Sequence, residues 1–247
     1  MCGLGGIVVF DGPPPEQEQL RRMGEALRHR GPDAEGTHLD IAGSPAVGLV
    51  HRRLSIIDLS QVADQPLPNE DGSVQALLNG EIYNFRELRQ DLAHRHRFRS
   101  QGDTEVLVHG YEDWGDEVVS RLDGMFAIAL WDGATRRLLL ARDAFGKKPL
   151  YYAYDGRRLV FASEVKALLA AGVPAEMAEE NLGEYLAFGY VPTPRTLFRG
   201  IRKLEPASLL IADQRGLGSP RRYWDLCFPE AGQEAKVRPE AAAERVR

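Results

Sequence analysis

Two Asp-Gly pairs, each placed between apolar runs, constrain the fold of this chain more than any other feature. Asp132 and Gly133 separate "MFAIALW" from "RRLLLARDAF", and Asp155 and Gly156 separate "PLYYAY" from "RRLVFASE". The runs are rich in β-branched, aromatic and leucine residues, as strands are. Because Asp-Gly favours the tight turns of β-hairpins, the sequence predicts antiparallel strands across residues 125–163.

Helical patterns occur on both sides of these hairpins. Leu20, Met23 and Leu27 recur at helical spacing, as do Phe85, Leu88 and Leu92, and the spacing of Asn84 and Glu87 predicts a capping box. Further helices are predicted in "TEVLVHGYEDWG", beginning at Asp103 or Thr104, in "EVKALLAAG" ending at Gly172, and in "NLGEYLAFG" ending at Gly189. With a short strand in "GIVVF", the pattern predicts an α+β fold whose sheets are covered by helices.

Charge and cysteine content exclude several classes of protein. The 247 residues include 31 Lys and Arg against 36 Asp and Glu, and the net charge of −5 argues against a dedicated nucleic-acid-binding protein. Cys2 and Cys227 have no CxxC companions, so neither a disulfide framework nor a cysteine zinc site is predicted. No signal peptide or membrane-spanning run is recognised. We therefore expect a cytoplasmic protein with no nucleic-acid or membrane partner, whose mature form begins at or just after Met1.

The position of Cys2 beside the initiator methionine suggests chemistry. If Met1 is removed, the Cys2 thiol lies beside a free α-amine, whose ordinary pKa of about 7.7–8.0 lets part of it accept a proton near neutral pH. A thiol needs such a base to become a nucleophilic thiolate. The alternative is that Cys2 is a small apolar residue that opens a buried edge strand.

An Asn-Gly pair, an arginine and two acidic residues are further candidates. Asn79 and Gly80 form either a turn or an oxyanion hole, made by the Asn79 amide and the Gly80 N–H. Arg53, which we expect to precede a strand, is either a solvated surface residue or a bidentate partner for a carboxylate. Asp103 is either a helix N-cap or, like Glu81, a partner for a substrate ammonium.

Histidines offer no recognisable metal site. None of the six stands in an HExxH or Cys/His ligand pattern, so each is expected to be a surface or core residue, and no metal is predicted. The six are His29, His38, His51, His94, His96 and His109.

Eight blocks in order resemble the glutaminase domain of glutamine-dependent asparagine synthetases. They are "MCGLGGIVVFDG", "LRHRGPDAEG", "HRRLSIIDLS", "LLNGEIYNFRELR", "GDTEVLVHGYEDWG", "LDGMFAIALWD", "ARDAFGKKPLYY" and "FASEVKALL". The resemblance implies a class II glutamine amidotransferase with the N-terminal-nucleophile (Ntn) hydrolase fold, a four-layer αββα sandwich with two antiparallel sheets. The related phosphoribosyl and hexosamine amidotransferases typically read differently at "HRRLSIID" and "NGEIYN", which favours the asparagine synthetase branch.

Site roles follow from the resemblance by position. Cys2 would be the nucleophile and its α-amine the base, Asn79 and Gly80 the oxyanion hole, Arg53 the partner of the glutamine α-carboxylate, and Glu81 and Asp103 the partners of its α-ammonium. Backbone groups of Leu54, Ser55, Ile56 and Ile57 would line the pocket. Arg30 and Asp33 of "RGPD" match a family block and would order loops.

The same resemblance implies a second domain. We expect the amidotransferase domain to span residues 2–215, and residues 216–247 to be a linker and the truncated start of a synthetase domain. The family's SGGxDS pyrophosphate loop is absent from the sequence, so ATP and Mg²⁺ are expected only in that other domain, and this chain is expected to need no cofactor. The expected partners are L-glutamine and the synthetase domain, with a homodimer left open. The alternative is a catalytically idle scaffold that supports a synthetase.

Overall fold

Two antiparallel sheets form the centre of the molecule, which is described by a computed structural model for residues 1–228. The first sheet has six strands in the order β10-β8-β9-β1-β3-β2. They are β1 (Gly3–Val9), β2 (Ala34–Asp40), β3 (Ala46–Arg53), β8 (Tyr151–Tyr154), β9 (Arg158–Ala162) and β10 (Ile201–Lys203).

The second sheet has seven strands, of which six follow the order β12-β11-β7-β6-β5-β4 and β13 pairs with β11. They are β4 (Leu67–Pro68), β5 (Val74–Ile82), β6 (Gly124–Asp132), β7 (Arg137–Arg142), β11 (Ser208–Asp213), β12 (Gly216–Leu217) and β13 (Arg221–Arg222). The predicted hairpins at Asp132 and Asp155 are confirmed, since they join β6 to β7 and β8 to β9.

Helices cover the outer face of each sheet. They are α1 (Gln17–Leu27), α2 (Phe85–Leu92), α3 (Glu105–Trp114), α4 (Val118–Arg121) and α5 (Val165–Ala170). A further helix, α6 (Leu182–Phe188), buries none of its residues and does not cover a sheet. The predicted helix boundary at Thr104 is confirmed, and α6 ends at Gly189 in the left-handed conformation that favours glycine.

Three apolar clusters hold these layers together. The central cluster lies between the sheets and includes Leu77, Trp131 and Phe161. One outer cluster packs α1 and α5 on the first sheet, and the other packs α2, α3 and α4 on the second. Because each sheet alternates its side chains between the central and an outer cluster, both of its faces are buried. The predicted α+β class and the four-layer αββα arrangement are confirmed.

The first strand lies in the middle of its sheet. β1 pairs with β3 on one side and with β9 on the other. A Cβ added to Gly6 would lie 2.6 Å from the Phe161 ring and 2.8 Å from the Gly48 carbonyl oxygen, so the strand needs glycine there to fit its neighbours. The edge strand that we considered for Cys2 is therefore wrong, and Cys2 lies at the end of a central strand.

Three local predictions are wrong. Asn79 and Gly80 do not form a turn, because β5 continues through them and pairs with β6. The predicted capping box of α2 is not formed within residues 1–228. Asn84 Nδ2 instead donates to the Arg121 carbonyl, and Asn84 Oδ1 accepts from the Asp123 N–H, just before β6. Residues 54–60, after Arg53, form a loop and not the expected strand.

The chain after residue 215 continues on this body as far as the structure describes it. β12 and β13 pair with β11, and the Tyr223 hydroxyl donates to the Arg142 carbonyl (2.9 Å). Residues 229–247, the rest of the segment that we assigned to a linker and synthetase domain, lie outside the described residues. In the part that is described, no helix has the length and apolar character needed to cross a bilayer.

Candidate active site

A cleft at the end of β1 collects most of the predicted site residues. Its empty volume is about 560 Å³, which includes the part that is open to solvent. Of the predicted residues, those that line it are Cys2, Arg53, Leu54, Ile56, Ile57, Gly80, Glu81 and Asp103. Two others, Ser55 and Asn79, are not among its lining residues within the described chain.

Cys2 is held by the backbone of Leu54 and by the side chain of Arg30. The Leu54 N–H donates to Cys2 Sγ (3.4 Å), and Sγ lies 3.7 Å from the Leu54 carbonyl oxygen. Arg30 Nε donates to the Cys2 carbonyl (2.8 Å), and Arg30 Nη1 is fixed in turn by Glu164 (2.7 Å). Burial raises the pKa of the Cys2 thiol, although the Leu54 N–H, the positive amino terminus and Arg53 oppose this effect. A thiol with a raised pKa is mostly protonated at neutral pH, so it needs a base to react.

Arg53 ends β3 and organises the loop that follows. Its Nη1 donates to the Ser60 carbonyl (2.8 Å) and to Asp64 Oδ1 (2.7 Å), and its Nη2 donates to the Asp58 carbonyl. The start of the same loop is held by Asp33, whose Oδ2 accepts from the Ser55 N–H (2.9 Å). This contact turns the Ser55 N–H towards Asp33, and it is the kind of loop ordering that we expected of Asp33.

Asp103 and Glu81 form the acidic side of the cleft. Asp103 is only 8% exposed, and its Oδ2 accepts from the Ile82 N–H (2.9 Å). Burial raises the pKa of Asp103 to about 6, the Ile82 N–H opposes the increase, and the nearby charge of Glu81 adds to it. A carboxylate that is desolvated in this way gains from a cation placed beside it.

The Asn79 amide is buried without a hydrogen-bond partner. Asn79 is fully buried, and neither its Oδ1 nor its Nδ2 finds a partner among residues 1–228. Such a group costs free energy and calls for an explanation. Gly80 beside it packs against β6, since an added Cβ would lie 2.0 Å from the Met125 carbonyl oxygen. Packing alone therefore requires glycine at position 80, whether or not its N–H also binds substrate.

His51 supports this part of β5 from the first sheet. The His51 ring is fully buried, and Nε2 lies 3.1 Å from the Leu78 carbonyl oxygen, one residue before Asn79. Burial lowers the pKa of His51 to about 4, so the ring is neutral and can donate to that carbonyl. The expectation of a core histidine is met at this position.

Sequence reasoning missed several residues that line the cleft. The most distinctive is Lys148, whose Nζ lies 3.0 Å from Met1 Sδ, and others are Gln65, Gly102 and Thr104. Lys148 is positioned by Asp143, which accepts from the Lys148 N–H (2.9 Å) and also from the N–H groups of Phe145 and Lys147. The sequence contained a signal that could have identified Lys148, because this residue lies in "ARDAFGKKPLYY", one of the eight blocks that resemble the family.

Metal-ligating groups are brought together in one place in the described chain, outside the cleft lining. The group consists of Glu70, His96, His109 and Glu112. Sequence patterns did not indicate this group, because its members come from three separate segments.

The fold and the cleft together define the class of protein. Two antiparallel sheets lie between helical layers, and a cysteine at the end of the central strand faces a cleft, which is the Ntn-hydrolase architecture. A family model described as a glutamine amidotransferase domain matches residues 1–224. The chain therefore belongs to the glutamine amidotransferase domain family.

Curated relatives are similar over most of this chain. Asparagine synthetase (glutamine-hydrolyzing) 1 of Bacillus subtilis is 41% identical over 244 residues, which are 96% of this chain and 38% of the relative. Amidase chyE of Penicillium rubens is 34% identical, over 93% of this chain and 35% of the relative. The chain thus spans little more than a third of the length of these two relatives.

A solved structure shares the fold. The glutamine phosphoribosylpyrophosphate amidotransferase of Bacillus subtilis superimposes with a TM-score of 0.65 at 21% identity, covering 90% of this chain and 49% of that one. At this identity the likeness concerns the fold alone, and it agrees with the predicted Ntn-hydrolase sandwich.

Proposed function

We propose that this domain hydrolyses L-glutamine to glutamate and ammonia, with Cys2 as the nucleophile once Met1 has been removed. The observation that carries the proposal is the arrangement around Cys2. The thiol faces a cleft whose lining includes the cation Arg53 and the acidic residues Glu81 and Asp103. The family of the chain supports the same reaction class.

The charges of the cleft suit an α-amino acid. The glutamine α-carboxylate would bind at Arg53, and its α-ammonium would bind at Glu81 and Asp103. Asp103 is desolvated, with a pKa of about 6, so an ammonium beside it would restore the lost solvation and favour the charged carboxylate. A ligand that lacks the ammonium would leave the buried Asp103 carboxylate without a cationic partner, which favours α-amino acids at this site.

The chemistry begins with the thiol. The free α-amine of Cys2 would take the thiol proton, and the thiolate would attack the side-chain amide carbon. The negative oxygen that forms would accept hydrogen bonds from the Gly80 N–H and from Asn79, whose amide is buried and has no other partner in the described chain. The amine would return the proton to the leaving nitrogen as ammonia departs, leaving a thioester. Water would then add to the thioester and release glutamate and the thiol.

The ammonia is proposed to serve a second domain. The B. subtilis relative that is named an asparagine synthetase extends well beyond the part matched here. We infer that a corresponding synthetase domain, in the same or another chain, holds ATP and Mg²⁺ and uses the ammonia to amidate aspartate or another carboxylate. We also infer that this protein acts in the cytoplasm.

Glutamate release by the purified protein tests the proposal. We expect the unaltered chain to hydrolyse L-glutamine and Cys2→Ala to lose at least about 1,000-fold in kcat, as removal of a nucleophile does. Cys227→Ala is the matched control, because this cysteine is exposed and should leave the rate unchanged. Equal rates for the unaltered chain and Cys2→Ala would disprove the role of the thiol.

The idle scaffold stays as a second candidate because Met1 itself lines the cleft. With Met1 in place, the Cys2 nitrogen is an amide and cannot act as the base. Intact mass spectrometry decides between the two candidates. Loss of the methionine mass together with glutaminase activity supports the enzyme, and retention of Met1 in an inactive native protein supports the scaffold.

A further inference from the structure

Four side chains with metal-binding chemistry converge on the outer side of the second sheet. Glu70 lies in the loop between β4 and β5, His96 follows α2, and His109 and Glu112 lie one turn apart on α3. One ligand atom from each lies within 4.8 Å of the others. The glutaminase reaction proposed above uses none of them.

The Nδ1 atoms of the two imidazole rings face the same carboxylates. His109 Nδ1 lies 3.0 Å from Glu112 Oε2 and 3.5 Å from Glu70 Oε2. His96 Nδ1 lies 3.5 Å from Glu112 Oε2 and 3.9 Å from Glu70 Oε1. A tetrahedral zinc ion with bonds of about 2.0–2.1 Å separates its ligand atoms by about 3.3 Å. The separations between these ligand atoms are close to that value. The two rings are stacked at 23° to each other, so they would have to rotate for both Nδ1 atoms to point at one ion.

The opposite nitrogen of each ring faces a different acidic residue. His96 Nε2 lies 3.1 Å from Asp113 Oδ1, and His109 Nε2 lies 3.7 Å from Glu105 Oε1. A carboxylate on one ring nitrogen holds the proton there, and the lone pair of the other nitrogen is then free to bind a metal. His96 therefore directs its Nδ1 into the cluster as a ligand. His109 Nε2 has no hydrogen-bond partner among residues 1–228, so it would take the ring proton when His109 Nδ1 binds an ion.

The two carboxylates are also held from outside. Asn69 Nδ2 donates to Glu112 Oε1 (2.7 Å), and the Arg97 N–H donates to Glu70 Oε1 (3.1 Å). His109 is only 1% exposed, whereas the Glu70 side chain is 42% exposed, so the cluster is fixed on one side and open to solvent on the other. An ion could enter from the open side.

From this geometry we propose that Glu70, His96, His109 and Glu112 bind one divalent first-row transition metal, with zinc as the probe. Two neutral imidazoles and two carboxylates balance the charge of such an ion, and imidazole is a donor that zinc favours. The ion would connect the β4–β5 loop, the segment after α2, and α3. Its role would be to stabilise this side of the domain, because the cluster lies outside the cleft lining.

The test is a zinc titration of the full chain carrying Cys2→Ser and Cys227→Ser, which removes both thiols as competing ligands. After treatment with a chelator, calorimetry should show one zinc per chain with a Kd below about 10 µM. His96→Ala should weaken binding at least about 100-fold, because even the loss of an outer partner costs up to that much. His94→Ala is the matched control, since this histidine is exposed in the same segment and should leave the Kd unchanged.

Two further measurements keep the proposal open to disproof if His96→Ala fails to fold. Glu112→Gln retains the length of the side chain and should also weaken zinc binding. Zinc at 100 times its Kd should raise the Tm of the parent chain by at least about 5 °C and that of Glu112→Gln by much less. Absence of zinc binding, or equal binding by the parent and these variants, would show that the rings and carboxylates form only an ion-pair network.

Discussion

Asp103→Asn should make the ligand-free domain more stable while it weakens the use of glutamine. The Asp103 carboxylate is buried in the cleft, and its Oδ2 accepts a hydrogen bond from the Ile82 N–H. An asparagine oxygen can accept the same hydrogen bond. The substitution therefore removes a desolvated charge and keeps the packing.

The magnitude follows from the pKa of Asp103, which burial raises from 3.8 to about 6. At about 1.36 kcal/mol per pH unit, keeping the group ionised in the folded state costs about 3 kcal/mol at pH 7.5. An acid whose folded pKa is raised makes stability fall as pH rises from its unfolded pKa through its folded pKa. The cost of ionisation is therefore about 0.5 kcal/mol at pH 4 and reaches its full value above pH 7.

Urea unfolding at pH 7.5 and at pH 4 measures this difference. We expect Asp103→Asn to raise the free energy of unfolding by about 3 kcal/mol at pH 7.5 and by less than about 1 kcal/mol at pH 4. Asp91→Asn, at an exposed position of α2, is the matched control and should change neither value. In the glutaminase assay, kcat/KM should fall about 100-fold, because the substrate ammonium loses a buried charged partner.

A result in which Asp103→Asn destabilises the domain at pH 7.5 would refute the reasoning. So would a stabilisation of equal size at both pH values, because it could not arise from the ionisation of Asp103. Unchanged kcat/KM for glutamine would separately remove Asp103 from the binding of the ammonium.

Three other substitutions test the packing and the cleft. Gly80→Ala should lower the free energy of unfolding, measured with urea, by at least about 2 kcal/mol, because the added Cβ would clash with the backbone of β6. Gly183→Ala is the control. Position 183 has open space around it, so this substitution should be neutral or stabilising in the same experiment. Met23→Ala should lower the free energy of unfolding, measured with urea, by about 2–5 kcal/mol, since Met23 is fully buried on the inner face of α1. Arg30→Leu should lower kcat for glutamine more than it changes KM, because Arg30 holds the Cys2 carbonyl and only positions the thiol. Arg28→Leu, at an exposed position, is the control. An unaltered kcat for Arg30→Leu would contradict this role.

Much of the fold could be predicted because its signals are local. The Asp-Gly turns specify their own hairpins, and the spacing of Leu20, Met23 and Leu27 specifies the buried face of α1. The capping of α2 could not be predicted in this way. Asn84 has the right spacing from Glu87, but its side chain bonds backbone groups at residues 121 and 123, which only the folded chain brings near.

The family was recognised from ordered motifs, and the family match confirms it. The same motifs supplied the candidate residues of the cleft. Their roles in binding and catalysis stay predictions, as do the domain boundary at residue 215 and the location of the protein. The structure added physical reasons that the motifs did not contain. It gave the buried, unpartnered amide of Asn79 and the packing requirement for glycine at position 80.

The sequence by itself determined the class of fold, the order of its hairpins and helices, and most of the predicted residues that line the cleft. Hydrophobic period and turn chemistry act between neighbours in the chain, so they can be read without a structure. Only the tertiary structure decided that β1 is a central strand, that Asp103 loses its solvent, and that His96 and His109 stack with ring centroids 4.6 Å apart beside two carboxylates. Burial and the meeting of distant side chains depend on how the layers pack, and that packing is set by contacts between segments far apart in the chain.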